Sequence, residues 1–190
     1  IRDSSKEVRN MKLHELSPVP GSNPKAYRKA VALLAESEFI DIFGVENSLT
    51  PAMDLFTKLG YLGLTCRLNT DAYLQQIGAG HLPHGAVAVA FSHSGSSADT
   101  VKALRLAKSH GAKTIAITNA IGAPLASWAD VTLLTGRDSH TIYGNAIFSR
   151  VADTALVDML CMGVILSDYG RFSTALDESG RMIRDRVFEN

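Results

Sequence analysis

Serine hydroxyls crowd one glycine in this chain, Ser92, Ser94 and Ser97 foremost around Gly95, within the stretch Ser92-His93-Ser94-Gly95-Ser96-Ser97. The uncharged run Ala86–Phe91 precedes them and a helical pattern with Asp99 in its first turn follows. They therefore stand where a strand gives way to a helix. The start of a helix offers unpaired N–H donors and a partial positive charge, which suits a phosphate. Gly95 lets the backbone approach closely. No Lys or Arg lies between Ser92 and Ser97, so the implied recognition is by neutral donors. The G-K-[ST] ending of a Walker A loop is absent, and so is the G-x-G-x-x-G of a dinucleotide fold. The competing reading is a polar turn with Ser97 as N-cap, but such a turn needs a single capping oxygen.

A second junction of the same kind occurs upstream. Phe39–Gly44 reads as a strand, then Val45-Glu46-Asn47-Ser48 leads into a helix capped by Ser48 or Thr50, with Pro51 near its first turn. Asn47 and Ser48 are the side chains best able to reach a ligand there, although capping explains them equally well. In an open parallel sheet, ligands bind beyond the carboxyl ends of the strands where strand order reverses. With Phe39–Gly44 as strand 1 and Ala86–Phe91 as strand 3, the two loops flank such a point.

The elements that must position these loops follow from apolar spacing. Asn23 as N-cap and Pro24 at the first helical position open a helix with Tyr27, Ala30, Val31, Leu34 and Ala35 on one face. Gly63–Leu68 reads as a strand and Asp71–Gly78 as a helix. Val101, Leu104 and Lys108, broadened by Ala103 and Ala107, mark the helix after the serine loop; Gly111 stops it, and Lys113–Thr118 is a buried strand. Pro124–Ala129 predicts a short helix with Trp128 packed, and Asp130–Thr135 a fifth strand. Gly144–Asp168 predicts one long helix, apolar on more than one face and ended by Gly170. Ser173–Phe188 predicts a last helix, with Arg181, Arg184 and Arg186 on a solvated face. A strand–helix–strand alternation of this kind gives a parallel sheet.

Composition bounds the class. At 190 residues and 46% hydrophobic content the chain suits one globular domain, residues 23–190, after a linker or lead-in segment at 1–22. A formal net charge of +0 argues against a nucleic-acid surface within it. The two cysteines, Cys66 and Cys161, have no framework or metal spacing and read as free thiols in a reducing, cytoplasmic setting. His81 and His84 flank a loop and read as a solvated turn rather than a metal site. The apolar run Ala155–Leu166, interrupted by Asp158, is too short to span a bilayer. A start at Ile1 suggests a fragment whose upstream part is missing.

The assembled residues resemble a sugar isomerase (SIS) domain over about Ala26 to Gly170. The marks are Gly44-x-x-x-Ser48, Ser92-x-Ser94-Gly95-x-Ser97, and Ala116-Ile117-Thr118-Asn119 followed by Pro124-Leu125-Ala126 and Ala129-Asp130. Glu46 through Asp54, Lys58-Leu59-Gly60-Tyr61-Leu62-Gly63, Tyr73-Leu74-Gln75-Gln76, Ile147-Phe148-Ser149-Arg150 and Val157-Asp158-Met159 are similar to RpiR/MurR-type bacterial transcription regulators. Those join an N-terminal helix-turn-helix domain to a C-terminal SIS domain. The resemblance implies a five-stranded parallel sheet with helices on both faces, a flavodoxin-like three-layer fold. It further implies a homodimer or higher oligomer, a phosphosugar effector, and DNA contact only through the missing N-terminal domain; no cofactor, metal or membrane partner is expected.

By position, the resemblance puts Ser48, Ser92, Ser94 and Ser97 on the phosphate, with Gly95 in their loop, and Glu46, Asn47 and His93 near the sugar. Tyr73 and Arg150 become further contacts that shape the pocket. Two departures stand out: Glu46 replaces a glycine common in G-x-G-x-S versions, and Ala152-Asp153 stands where the regulators often have Ala-Gln or Thr-Gln. The rival is an aldose–ketose phosphate isomerase, which needs a general base; Glu46, His93 and His140 are the candidates. The stretch Ile142-Tyr143-Gly144-Asn145-Ala146 lacks the carboxylate that stand-alone isomerases carry there, so the expectation is a sensor and not an enzyme.

Overall fold

The computed structural model describes residues 23–136 and 150–184. The expected lead-in at 1–22, His140 with the expected helix start at Gly144, and Arg186 with the expected helix end at Phe188 lie outside the described residues.

The first helix forms where apolar spacing meets a cap. Helix α1 (Pro24–Glu36) starts on Asn23, whose side chain accepts from the Lys25 N–H at 2.9 Å, and buries Tyr27, Ala30, Val31, Leu34 and Ala35, the stripe the spacing predicts. Then follow β1 (Ile40–Phe43), a 3₁₀ turn at Glu46–Ser48, α2 (Leu49–Tyr61), β2 (Cys66–Leu68), α3 (Ala72–Ala79), β3 (Val87–Phe91), α4 (Ala98–Ser109), β4 (Lys113–Thr118), a 3₁₀ turn at Ala126–Trp128, β5 (Val131–Leu134), α5 (Val151–Ser167) and α6 (Tyr169–Met182).

All strands pair in parallel, in the order β2-β1-β3-β4-β5. Ile40 lies between Cys66 and Val87, Val87 pairs with Lys113, and Ile115 with Val131. The order reverses between β1 and β3, so the loops leaving these two strands flank the switch point.

Alternation along the central strands divides the core by side-chain size. Val87, Val89 and Phe91 join Ile40, Ile42, Ile115, Ile117 and Leu133 on one face, under α1, α2, α5 and α6. Ala86, Ala88, Ala90 and Ala116 face the other way, under Ala103, Leu104 and Ala107 of α4. Small residues on both partners let α4 lie close to the sheet. On the thicker face, Gly163 of α5 makes room for α1: a Cβ there would stand 2.5 Å from the Tyr27 hydroxyl and 2.7 Å from Val31. That hydroxyl donates to the Met159 carbonyl, and burial pushes the Tyr27 pKa up to about 12. Both thiols are free, each pushed up to about 12 by burial.

Three expectations change. Helix α5 ends at Ser167, before Gly170, because Asp168 leaves helical geometry and caps α6 by accepting from the Arg171 N–H at 3.1 Å; Gly170 lies inside α6. The helix expected at Pro124–Ala129 is a single 3₁₀ turn. Trp128 is 38% exposed, with the Arg105 guanidinium over its ring, rather than packed in the core. No helix among the described residues is long and apolar enough to cross a membrane.

Candidate functional site at the strand-order reversal

The end of β3 passes into the serine loop with its backbone already committed. The Ser92 N–H donates to the Ile117 carbonyl of β4, and the Ser92 carbonyl accepts from the Gly95 N–H at 2.9 Å. Gly95 has a φ of +62°, and a Cβ on it would stand 2.3 Å from the Ala123 Cβ, so only glycine fits this turn. Its carbonyl accepts from the Leu125 N–H. The neighbouring His93 carbonyl accepts from the Thr118 hydroxyl and the Asn119 N–H. The turn is thus fixed from beneath by β4 and the loop that follows it.

The β1 loop is held differently. Gln75 of α3, 1% exposed, accepts from the Gly44 N–H at 3.2 Å and donates to the Gly44 carbonyl at 2.7 Å. The same amide donates to the Asn69 carbonyl. After Gly44 the chain turns through Glu46, whose φ of +52° is the one positive value at a non-glycine among the described residues.

The two loops enclose a cavity of about 320 Å³, in the size range of small-molecule sites. Val45, Glu46, Asn47, Ser48, Ser92, His93, Ser94, Ser97, Asp99 and Arg150 line it. Apart from Tyr73, nine residues are assigned to the pocket from the sequence, and eight of them are brought together. The ninth, Gly95, is buried behind them as the pivot of the turn, with its own N–H and carbonyl already spent. Tyr73 does not line the cavity; it is 76% exposed on α3, and its near neighbour Gln75 is the residue that holds the site.

Ser48 and Ser97 occupy the N-cap positions of α2 and α4, yet neither side chain makes a capping bond. The expectation of a capping Ser97 hydroxyl is corrected: it accepts from the Thr100 hydroxyl at 3.3 Å instead. Two helix starts, with their partial positive charge, thus open at the cavity beside serine hydroxyls.

Charge enters from the far end of the chain. Arg150, just before α5, lines the cavity, and its Nε lies 3.9 Å from Oδ2 of Asp153, which is 5% exposed. The same Oδ2 is 3.9 Å from His93 Nδ1. Burial, and next the Arg150 charge, hold the His93 pKa below its ordinary value, so the imidazole is neutral near pH 7 despite the opposing pull of Asp153. On its other edge, His93 Nε2 sits 3.4 Å from the Asn119 amide nitrogen. Asp99 is tied by Gln76 at 3.1 Å. Among the described residues no group of three or more His, Cys, Asp or Glu is placed to hold a metal ion.

Asp153, Asn119 and Gln75 escape sequence reasoning as site residues. Asp153 carries a trace, since it is one of the two departures from the regulators' pattern. The other two lie inside motifs that carry the resemblance, Asn119 after Thr118 and Gln75 after Leu74, but nothing in their spacing points at the loops.

A model of the SIS domain matches residues 33–163, more than half of the sequence. The chain belongs to the SIS domain family. This SIS domain is 30% identical over 168 residues to an uncharacterized HTH-type transcriptional regulator of Caldanaerobacter subterraneus, covering 88% of the chain and 60% of that regulator. It is 24% identical over 161 residues to the HTH-type transcriptional regulator RpiR of Escherichia coli K12, covering 85% of the chain and 54% of RpiR. Its fold is similar to the Vibrio vulnificus NanR protein complexed with ManNAc-6P, with a TM-score of 0.83 at 24% identity, over 98% of this chain and 70% of that one. The SIS domain therefore spans little more than half the length of the curated regulators it matches.

Proposed function

We propose that this SIS domain binds a sugar phosphate and serves as the effector-sensing part of a transcription regulator of carbohydrate metabolism. The observation that carries the proposal is the convergence of Ser48, Ser92, Ser94 and Ser97 with two helix starts and Arg150 on one cavity at the strand-order reversal. In this reading the hydroxyls and helix N–H groups hold the phosphate, Arg150 supplies the cation, and Asn47, Glu46 and His93 face the sugar. The relatives' HTH-type designations and NanR's ManNAc-6P support it. DNA would be reached through a helix-turn-helix domain in the same polypeptide. Homo-oligomerisation and a cytoplasmic location belong to the same proposal.

Sensing requires that the ligand favour one arrangement over another, since equal binding to both shifts nothing. Arg150 is the coupling element: it reaches from the start of α5 to the cavity and lies against Asp153. A phosphate that draws Arg150 away from Asp153 changes the start of that helix.

Phosphorus NMR of a phosphosugar panel with near-stoichiometric protein tests the reading. One selectively shifted or broadened resonance with no new peak on long incubation is expected. A growing product peak would instead favour the isomerase reading, for which the observation is that Glu46 and His93 face the same cavity. Replacing both Ser92 and Ser94 by Ala is expected to weaken binding about a hundredfold, since each removes a hydrogen bond to a charged group. Unchanged affinity would remove the serine loop from the site.

A further inference from the structure

The cavity's charges fit a phosphate poorly if the ligand brings nothing else. Glu46 and Asp99 line it, Asp153 stands behind it, and the one fully charged cation facing them among the described residues is Arg150. His93 is held neutral. Asp99 is bound by Gln76 and lies on the first turn of α4, where a carboxylate is favoured. Asp153 has Arg150 and His93 beside it. Glu46 differs from both. Among the described residues its carboxylate makes no hydrogen bond or ion pair, and it borders the cavity from an exposed position.

Glu46 also occupies the one left-handed backbone position among the described residues that is not a glycine. Glycine would adopt that turn without strain, so a carboxylate is carried there against the backbone's preference. A carboxylate accepts hydrogen bonds and attracts cations. A sugar hydroxyl satisfies it weakly, whereas an ammonium adds a charge that also offsets the dianionic phosphate near Asp99 and Asp153.

Resting on the phosphosugar reading above, we propose that Glu46 is a specificity residue for an amino-sugar phosphate with a free, protonated amine. The phosphate lies on the serine loop and the ammonium lies on Glu46. Acetylating the amine removes the charge and adds bulk, and replacing it with a hydroxyl removes the charge alone; both weaken binding.

Calorimetric titration of the whole chain at neutral pH with glucosamine 6-phosphate, N-acetylglucosamine 6-phosphate and glucose 6-phosphate tests this. The free amine is expected to bind at least about tenfold more tightly than either of the others. In Glu46→Gln, and separately in Glu46→Gly, which suits the local backbone, that ratio is expected to fall to near one. Equal affinities in the unmodified chain, a preference for the acetylated sugar, or a preference that survives both substitutions overturns the proposal and leaves the phosphosugar reading standing. Failure of all three to bind overturns it as well; if inorganic phosphate also fails to bind, the phosphosugar reading falls with it.

Discussion

The β3–α4 loop and the β1–α2 loop meet at one cavity, but the first is fixed chiefly by backbone hydrogen bonds to β4 and the loop after it, the second by a single side chain from α3. Gly95 exchanges both its polar groups with Ser92 and Leu125 and fits against Ala123 where no Cβ would go. Gly44, at the base of the other loop, has its N–H and carbonyl tied to Gln75 of α3. The backbone turn of that second loop is made by Glu46, which glycine would serve better. A loop fixed by close packing presents its hydroxyls at set positions, as recognition of a small rigid anion requires. A loop fixed by one amide follows the helix that carries the amide, and can vary its lining residue without losing its shape.

Substitution at Gly95 gives the largest test of this contrast. Gly95→Ala forces a left-handed alanine into contact with Ala123 and is expected to cost about 3 kcal/mol of stability by urea unfolding. A variant as stable as the original would show that the turn is not locked by packing. Gln75→Leu comes next. It keeps the apolar volume but leaves the buried Gly44 groups without their partner, an expected loss of about 2 kcal/mol. An unchanged midpoint would mean that Gln75 is not what holds the β1 loop. Glu46→Gly is expected to do little harm, from no change to a gain of about 1 kcal/mol, as relief of backbone strain outweighs the added freedom of the unfolded chain. A clear loss would place Glu46 among the residues that hold the loop.

The smallest effect concerns pH. His93 resists protonation in the folded chain, while in the unfolded chain it titrates near its ordinary value of 6.5. As pH falls below that value the unfolded state takes up the proton first, so folding stability declines from pH 7 toward pH 5. His93→Gln is expected to flatten part of that decline in thermal melts at the two pH values. Superimposable declines would show that burial and Arg150 exert no net pull on this imidazole.

Much of the site was legible before the fold was known. Hydroxyls between a buried strand and a helix start are a local pattern, and so is Asn47-Ser48 after Phe39–Gly44. Local patterns also located the helix of Pro24–Glu36 and the strand Lys113–Thr118. Reading failed where a residue's role depends on a distant partner. Tyr73 entered the expected pocket only through the family resemblance, yet the inward-facing position on α3 belongs to Gln75. Trp128 looked like core because tryptophan is apolar, yet the 3₁₀ turn leaves one side of it to solvent and Arg105. Gly170 looked like a helix stop, and a capping carboxylate two residues earlier made the break.

By itself the sequence determined the parallel α/β architecture, the two polar loops and the chemistry that hydroxyls and helix starts can offer a phosphate. Periodicity and turn chemistry are short-range, and they are written in consecutive residues. Tertiary structure decided which strands are neighbours, and so that Ser48 and Ser92 share a cavity. It also decided that Arg150 and Asp153, some sixty residues along the chain from His93, come to stand beside it. It set the left-handed turn at Glu46 and the close fit at Gly95. These depend on how separate segments pack against one another, and packing is a property of neighbours in space that no local run of residues encodes.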